Sequence, residues 1–276
     1  MKLEKCPVCG RPAVILDGAK TCLYCGRVFK EQKPAVPPLA VTLKNNERVT
    51  QQAHKNLLNN VDGSLDYCLK RGITMKTIED WRLGYVPDKY PLLPLMWWRR
   101  LLFPIISNDG KSVIAFGGRK IVADDRAKYV NSRSSAAYSK SESLYGYNLV
   151  PEDAEVVYLC EGYVDVLSMD AKGFAYPVAS LGTALTTEQA LLIRKKARRV
   201  TICYDADDAG QKNALRAINL LFRAGFKTNE ISVIVVSDAK DVDEALQHGC
   251  TLCEQSLLGY LLEREQYDLF VDALTN

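Results

Sequence analysis

The sequence predicts an α/β fold built on a parallel sheet, and three strand-length segments are the main basis for that prediction. Val156–Cys160, Thr201–Tyr204 and Ile231–Val236 are short apolar runs of the kind buried on both faces of a sheet. The segments between them repeat apolar residues at the period of a helix, most clearly in Ala214, Ala217, Ile218 and Leu221. Strands that alternate with helices pair in parallel with right-handed crossovers. The expected core is therefore a Rossmann-like sheet.

Acidic residues follow each of these strands. One comes directly after the first strand and another a helical turn later, and a pair with two-residue spacing follows each of the other two strands. Because the carboxyl ends of parallel strands share one edge of a sheet, we expect these side chains to gather there. The six residues are Glu161, Asp165, Asp205, Asp207, Asp241 and Asp243.

Six carboxylates at one edge would repel each other and lose solvation, at a cost of roughly several kcal/mol per buried ion unless a cation compensates. Oxygen ligands without nearby His or Cys favour Mg²⁺ or Mn²⁺ over zinc. Two such ions can clamp a phosphate during an in-line displacement. A competing interpretation treats these residues as ordinary helix N-caps, which suffices for Asp208 and could extend to Asp241. It does not explain the ordered series after three strands, so we expect a site for two or more divalent cations.

The first thirty-odd residues contain a different kind of metal motif. Two C-x-x-C-G motifs, separated by twelve residues, can grip one ion in a closed tetrahedral site. So short a segment cannot bury enough surface to fold without the metal. We expect one structural Zn²⁺ bound by Cys6, Cys9, Cys22 and Cys25.

The middle of the chain predicts a basic subdomain of mixed α and β structure. Helical patterns run over Ser64–Arg71 and Met75–Trp81, and Leu101–Ile106 and Ser112–Phe116 read as strands of a hairpin with a tight turn at Gly110. The segment from residue 99 to 140 holds nine Lys or Arg against three Asp, whereas the whole chain carries only +3. A net charge of +6 in so short a segment indicates a local patch for nucleic acid.

These observations divide the chain into five parts. We expect a Cys₄ zinc ribbon at 1–33, a proline-rich and polar tether at 34–60, the basic subdomain at 61–150, the parallel-sheet domain at 151–249, and C-terminal helices at 250–276. The first ten residues lack an apolar signal region, and no apolar stretch is long enough to span a membrane. Nine cysteines without such a signal favour a reducing cytoplasm and no membrane partner.

Several ordered motifs resemble a known family. Glu161-Gly162-Tyr163-Val164-Asp165, Asp205-Ala206-Asp207 and Asp241-Val242-Asp243 resemble the TOPRIM domain of bacterial-type primases and topoisomerases. Upstream, the strings TIEDWRLGYVPD, FPI, FGGR, KYVNS and LYG occur in the order found in the catalytic core of DnaG-type primases. The resemblance runs from about residue 67 to 246, and in that family a zinc module also precedes the core.

The resemblance implies a DNA-directed RNA polymerase of the primase type, which makes short RNA primers on single-stranded DNA from ribonucleoside triphosphates during replication. It implies catalytic roles for Glu161, Asp205 and Asp207, with Glu161 either an acid or base or a metal ligand. It also implies partnership with a separate replicative helicase and a location at the replisome or nucleoid of a bacterial cell or phage-infected host. Nucleotide and DNA contacts would fall on Arg100, Arg119, Lys128, Asn131 and Lys140.

Departures from the family pattern leave two alternatives open. The zinc module is a compact Cys₄ ribbon, and little follows Asp243 where the family has a helical subdomain and a helicase-binding domain, a reduction expected of a phage-like primase. One alternative is a non-enzymatic DNA-binding recombination mediator of the RecR type, which also joins a Cys₄ site to a TOPRIM fold. The other is a TOPRIM nuclease, which leaves the basic subdomain unexplained.

Overall fold

The computed structural model describes residues 39–181, 184–236 and 238–266 in full, and the backbone of four strands in the first 38 residues. The chain divides into a unit of residues 1–38 and a unit of residues 39–276. The first unit forms an antiparallel sheet in the order β1-β2-β3-β4. Its strands are β1 Leu3–Lys5, β2 Pro12–Leu16, β3 Ala19–Cys22 and β4 Val28–Lys30. The predicted zinc ligands lie outside the described side chains.

The second unit begins with the predicted basic subdomain. Its antiparallel sheet has the order β5-β6-β7-β8. The hairpin between β6 and β7 is confirmed, and Gly110 has the positive φ that its tight turn requires. The helices are α1 Leu39–Leu58, α2 Ser64–Lys70 and α3 Met75–Asp80. The strands are β5 Gly84–Val86, β6 Arg100–Ile106, β7 Val113–Lys120 and β8 Tyr129–Asn131.

Helix α1 differs from the sequence prediction, which placed residues 34–60 in a tether. Val49, Ala53 and Leu57 recur every four residues and are buried, so one narrow stripe of an otherwise polar helix packs on the sheet. The approach is close: a Cβ added at Gly84 in β5 would lie 2.6 Å from the Ala53 Cβ. His54, on the same helix, is half-buried, and its Nδ1 lies 2.6 Å from the carbonyl oxygen of Leu83.

The predicted parallel sheet follows and is confirmed. Four strands in the order β10-β9-β11-β12 pair in parallel, and β13 adds to β12 in the antiparallel direction. The strands are β9 Ala154–Cys160, β10 Pro177–Ala179, β11 Ala197–Cys203, β12 Ile231–Val236 and β13 Leu252–Ser256. The helices are α4 Tyr163–Ala171, α5 Thr187–Lys196, α6 Asp208–Arg223, α7 Val242–His248 and α8 Leu257–Glu263.

Two apolar cores cover the two faces of this sheet. Helices α4 and α7 pack on one face together with residues of the basic subdomain, including Phe103 and Tyr145, so one core joins the two parts of this unit. Helices α5, α6 and α8 cover the other face. Three free cysteines, Cys68, Cys160 and Cys203, are buried in these parts of the fold.

The C-terminal region differs from the expected run of helices, because residues 252–256 form strand β13. Its backbone pairs with β12 from Ser232↔Ser256 to Val236↔Leu252 and so covers an otherwise open edge. The five residues of β13 are half-buried or exposed, and the strand therefore lacks the apolar run that marks the central strands. Within the described part of the chain, no helix is long and apolar enough to cross a membrane.

Candidate active site

The carboxyl ends of the central strands open into a cleft of about 330 Å³. Cys160 and Cys203 are partners in the β9–β11 register. Glu161, one residue after Cys160, and Asp205, two residues after Cys203, therefore lie at the same edge of the sheet. The first turn of α4 adds Asp165, and the segment from β12 into α7 adds the remaining acidic residues of the wall. The acidic lining consists of Glu161, Asp165, Asp205, Asp241 and Asp243. Five of the six predicted carboxylates therefore share one cleft.

Glu161 lines the cleft and is partly shielded from solvent. Burial, and then the negative charge of Asp205, raise its pKa to about 7. Its Oε1 is buried and has no hydrogen-bond partner in the described protein. An unpartnered carboxylate oxygen is costly in the interior, so this atom is suited to bind a cation or to take up a proton.

Two aspartates show the same conflict between burial and charge. Burial, followed by the charges of Asp241, Asp205 and Asp243, raises the pKa of Asp165 to about 8. Burial, followed by the charges of Asp241 and Asp207, raises the pKa of Asp205 to about 6. Like charges brought together in a partly dry cleft disfavour full ionisation, and a bound cation reverses that preference.

Asp207 and Asp241 act as helix N-caps, whereas Asp208, to which the competing interpretation gave that role, is the first residue of α6. Asp207 Oδ1 accepts a hydrogen bond of 2.8 Å from the Gly210 backbone N–H at the start of α6. Asp241 Oδ1 accepts one of 2.8 Å from the Glu244 N–H at the start of α7. Capping occupies one oxygen of each carboxylate. Asp241 lines the cleft, whereas Asp207 is exposed and stands outside the lining.

Asp243 is buried and has protein partners on both oxygens. Its Oδ2 forms an ion pair with Arg71 Nη2, and its Oδ1 accepts a hydrogen bond of 2.5 Å from Ser168 Oγ. Sequence analysis assigned no role to Arg71 or Ser168. An arginine just before Gly72 at the end of α2 is typical of an ordinary helix C-terminus, and only the folded chain shows that it lines the cleft.

The basic subdomain supplies the opposite wall. Arg119 Nη1 donates a hydrogen bond of 2.6 Å to the Tyr129 hydroxyl, and the Lys128 Nζ lies 5.6 Å from the centre of the Tyr129 ring. Lys240, from the loop before α7, joins them. Burial, and then the nearby charge of Arg119, lower the pKa of Lys128. Cations that crowd together in this way form a receptor for polyanions such as phosphates.

Asn131 completes that wall and is held in place by a tyrosine from the sheet domain. The hydroxyl of Tyr163 donates a hydrogen bond of 2.5 Å to Asn131 Oδ1. The Tyr163 ring stacks on Phe103 with centroids 4.8 Å apart. A Cβ added at Gly117 in β7 would lie 2.2 Å from the Tyr163 ring, so only glycine allows this approach. Tyr163 thus fixes the basic wall against the acidic edge.

Two residues predicted to contact nucleotide or DNA lie elsewhere. Arg100 is buried at 1% exposure, and its guanidinium donates to the carbonyl oxygens of Met96, Ala127 and Lys128. Each of the three guanidinium nitrogens of Arg100 already donates a hydrogen bond to the backbone. Two of these bonds hold the loop before β8, so Arg100 has a structural role there. Lys140 is half-buried outside the cleft lining, and burial lowers its pKa. Only Arg119, Lys128 and Asn131 of the predicted set line the cleft.

The donor chemistry of the cleft fits a hard divalent cation. Among residues 39–181, 184–236 and 238–266, no group of three or more His, Cys, Asp or Glu is arranged to hold a metal ion. The cleft nevertheless offers the unpartnered Glu161 Oε1 and carboxylates whose pKa values are raised by burial and then by the charges of their neighbours. Oxygen donors of this kind suit Mg²⁺ or Mn²⁺.

A parallel sheet with carboxylates at these strand ends defines a TOPRIM-type protein, and comparison with known proteins agrees. Residues 158–246 match the Toprim-like family model, and residues 95–150 match the model of the N-terminal domain of the DNA primase catalytic core. A DNA primase of Clostridium acetobutylicum is 37% identical over 207 residues, which are 64% of this chain and 34% of the relative.

Solved structures show the same relationship in three dimensions. The zinc-binding and RNA polymerase domains of the Aquifex aeolicus primase superpose with a TM-score of 0.68 and 30% identity, over 83% of this chain and 64% of that one. A DnaG primase catalytic domain bound to single-stranded DNA has the same fold, with a TM-score of 0.67 and 23% identity over 82% of this chain and 84% of that one. Residues 95–150 and 158–246 therefore correspond to the N-terminal domain and the Toprim-like domain of a DnaG-type primase catalytic core. The chain spans 34% and 45% of the full length of the Clostridium and Aquifex DNA primases.

Proposed function

We propose that this chain is a metal-dependent primase, which synthesises short RNA primers on a single-stranded DNA template. One observation carries the proposal: a single cleft faces carboxylates of the TOPRIM sheet toward cations of the primase-type basic subdomain. Template and triphosphates are polyanions that need such cations, and phosphoryl transfer proceeds by positioning and charge neutralisation. The matched domain models cover both walls of the cleft.

In this mechanism the protein binds the substrate and controls the metal site. Glu161, Asp165, Asp205 and Asp241 would hold two or more Mg²⁺ or Mn²⁺ ions, with Asp207 contributing charge or a further oxygen from the start of α6. The ions would neutralise the triphosphate and activate the 3′-hydroxyl of the growing primer.

The remaining groups orient the reactants. Arg119 and Lys128 bind phosphate oxygens, and Asn131, fixed by Tyr163, supplies an amide for the sugar or base. Glu161 has a pKa of about 7 and an unpartnered Oε1, so it can also accept a proton near neutral pH when it is not bound to metal.

The N-terminal unit would select the start site. Four thiols in two C-x-x-C motifs form a donor set that fits one structural Zn²⁺, at Cys6, Cys9, Cys22 and Cys25. Removal of this unit should leave synthesis chemistry but weaken initiation and template preference. Because α1 packs into the core, the truncated chain must begin at Leu39 and keep that helix. A truncated chain with the start-site profile of the full chain would refute this role. A replicative helicase is a further proposed partner.

The alternative functions are less well supported. A RecR-type mediator or a TOPRIM nuclease accounts for the sheet domain but not for the match of residues 95–150 to the primase core. The decisive experiment combines the full chain with single-stranded DNA, labelled ribonucleotides and Mg²⁺. Short RNA products support the primase, binding without synthesis supports the mediator, and strand cleavage supports the nuclease.

A further inference from the structure

Asp243 differs from Glu161, Asp165 and Asp205 because an arginine already pairs with its charge. Arg71 binds Oδ2 and Ser168 donates to Oδ1, and the residue is 3% exposed. Glu161, in contrast, keeps a buried oxygen with no partner. A metal ion that displaced Arg71 or Ser168 from Asp243 would leave a buried polar group unpaired, which disfavours such an exchange.

The three residues come from three different elements. Ser168 lies on α4, Asp243 on the neighbouring α7, and Arg71 at the C-terminus of α2 in the basic subdomain. The Asp243 backbone N–H also lies 3.4 Å from Asp165 Oδ1, so the same residue touches the acidic edge. This arrangement fixes the direction of the Arg71 side chain across the boundary between the two parts of the unit.

Arg71 lies where a phosphate would be received. Its guanidinium lines the same cleft as Arg119, Lys128 and Lys240. One nitrogen, Nη2, is held by Asp243, and Nη1 has only a long contact of 3.4 Å to the Tyr67 hydroxyl. Its Nε is buried without a hydrogen-bond partner in the described protein. An arginine held at one side of its planar fork presents its other donors in a fixed direction, which suits a phosphate oxygen.

We propose that Asp243 is a positioning residue rather than a metal ligand. With Ser168 it holds Arg71 in the cleft, where Arg71 binds the triphosphate of the incoming nucleotide. This role rests on the proposed function, since it takes a triphosphate as the substrate. Neutralisation of Asp243 would thus weaken triphosphate binding and leave metal binding intact, which is the opposite of the pattern for a ligand such as Asp205.

The test uses the full chain and two binding measurements that do not depend on synthesis. Mn²⁺ binding without nucleotide is followed by electron paramagnetic resonance, and binding of inorganic triphosphate is followed by calorimetry in Mg²⁺. Asp243→Asn should bind the same number of Mn²⁺ ions with unchanged affinity and should lose about tenfold or more in triphosphate affinity. The control Asp205→Asn should lose Mn²⁺ affinity.

Further variants distinguish a role in positioning Arg71 from a contact that only stabilises the fold. Ser168→Ala should weaken triphosphate binding less than Asp243→Asn, and Ser168→Thr, which keeps the hydroxyl, should restore most of it. The double variant Arg71→Ala with Asp243→Asn should bind triphosphate no more weakly than Arg71→Ala alone, because both changes remove the same interaction. Arg71→Lys and Ser168→Ala apply the same test if Asp243→Asn unfolds.

Two results would overturn the inference. Loss of a Mn²⁺ ion from Asp243→Asn would make Asp243 a ligand. The second is a failure of the triphosphate measurements: the affinity is unchanged in folded Asp243→Asn or Ser168→Ala, or the wild-type chain does not bind triphosphate. Asp243 and Ser168 would then serve only to connect α2 and α7. A wild-type chain that binds both Mn²⁺ and triphosphate yet makes no primer refutes the polymerase, while the predicted pattern in the variants would still support the role of Asp243.

Discussion

The acidic and basic walls of the cleft are built on different principles. The acidic wall lies at the carboxyl ends of parallel strands, where consecutive strands deliver the residues that follow them to one edge. The basic wall combines loop residues with residues of the antiparallel strands β7 and β8, where neighbouring residues point to opposite faces. Arg119 and Lys120 are adjacent in β7, yet Arg119 lines the cleft and Lys120 pairs with Asp124. Chain order therefore locates the acidic residues better than the basic ones.

The largest effects should come from the acidic wall. Asp205→Asn and Asp207→Asn should each reduce primer synthesis by about a hundredfold or more, because each removes a negative charge needed to hold divalent cations. The fold should persist, since asparagine caps the start of α6 as well as aspartate does. Synthesis rates are compared across a Mg²⁺ titration, with circular dichroism as the control for folding. Wild-type rates in either variant would contradict the metal assignment of that residue.

Metal-free protein should lose stability as the pH rises from about 5 to about 8. In the folded state burial raises the pKa of Asp165 from 3.8 to about 8 and that of Asp205 to about 6. The folded state therefore keeps protons that the unfolded chain has already released, so the free energy of unfolding decreases as the pH rises through this window. Below pH ~4 both states are protonated, and these groups add no pH dependence. One pKa unit corresponds to about 1.4 kcal/mol for each group, so we expect a loss of several kcal/mol, measured by denaturant unfolding.

Mg²⁺ provides the control for that pH dependence. Added at pH 8, it should recover the lost stability, because the cation replaces the protons. Asp165→Asn should flatten the pH profile of the metal-free protein by removing the group with the largest raised pKa in the cleft. A free energy of unfolding that is constant from pH 5 to pH 8 would show that the carboxylates do not repel each other in the folded state.

Arg100 tests how the basic subdomain uses its cations, because the family resemblance predicts a DNA contact at this residue. Arg100→Lys should lower the free energy of unfolding by about 2–3 kcal/mol, since a lysine cannot reach the three carbonyl oxygens that the guanidinium binds. The charge is kept, so any DNA-binding defect in folded protein would point to a direct contact instead. The exposed Lys111→Arg is the control and should leave stability unchanged.

The acidic wall was more predictable from the sequence than the basic wall and its surroundings. The three central strands, the hairpin at Gly110 and the gathering of Glu161, Asp165 and Asp205 follow from apolar runs and strand order. Arg100 lies outside the cleft lining, because a match of motif order does not show which cation is buried. Helix α1 was missed because its buried stripe is narrow, and β13 because an edge strand needs only backbone pairing. Arg71 and Ser168 depend on contacts between residues far apart in the chain, 172 positions for Arg71 and Asp243.

The smallest expected effect concerns the basic wall. Arg119→Ala with Lys128→Ala should weaken DNA or triphosphate binding by about tenfold, with little sequence bias, because phosphate contacts position a strand without specifying its bases. Each lost phosphate contact should also reduce the log–log salt slope for single-stranded DNA by roughly 0.7. The measurement is binding affinity over a range of salt concentrations.

The control has to separate position from charge. Arg198→Ala with Arg199→Ala removes the same two charges from exposed positions in β11, at the opposite end of that strand from Asp205. If the basic wall binds phosphate, this pair should leave the salt slope unchanged and lower affinity only slightly. If the control variant lowers the salt slope and the affinity as much as Arg119→Ala with Lys128→Ala does, binding depends only on net charge. Arg119 and Lys128 then have no special position, and the basic half of the proposed cleft fails.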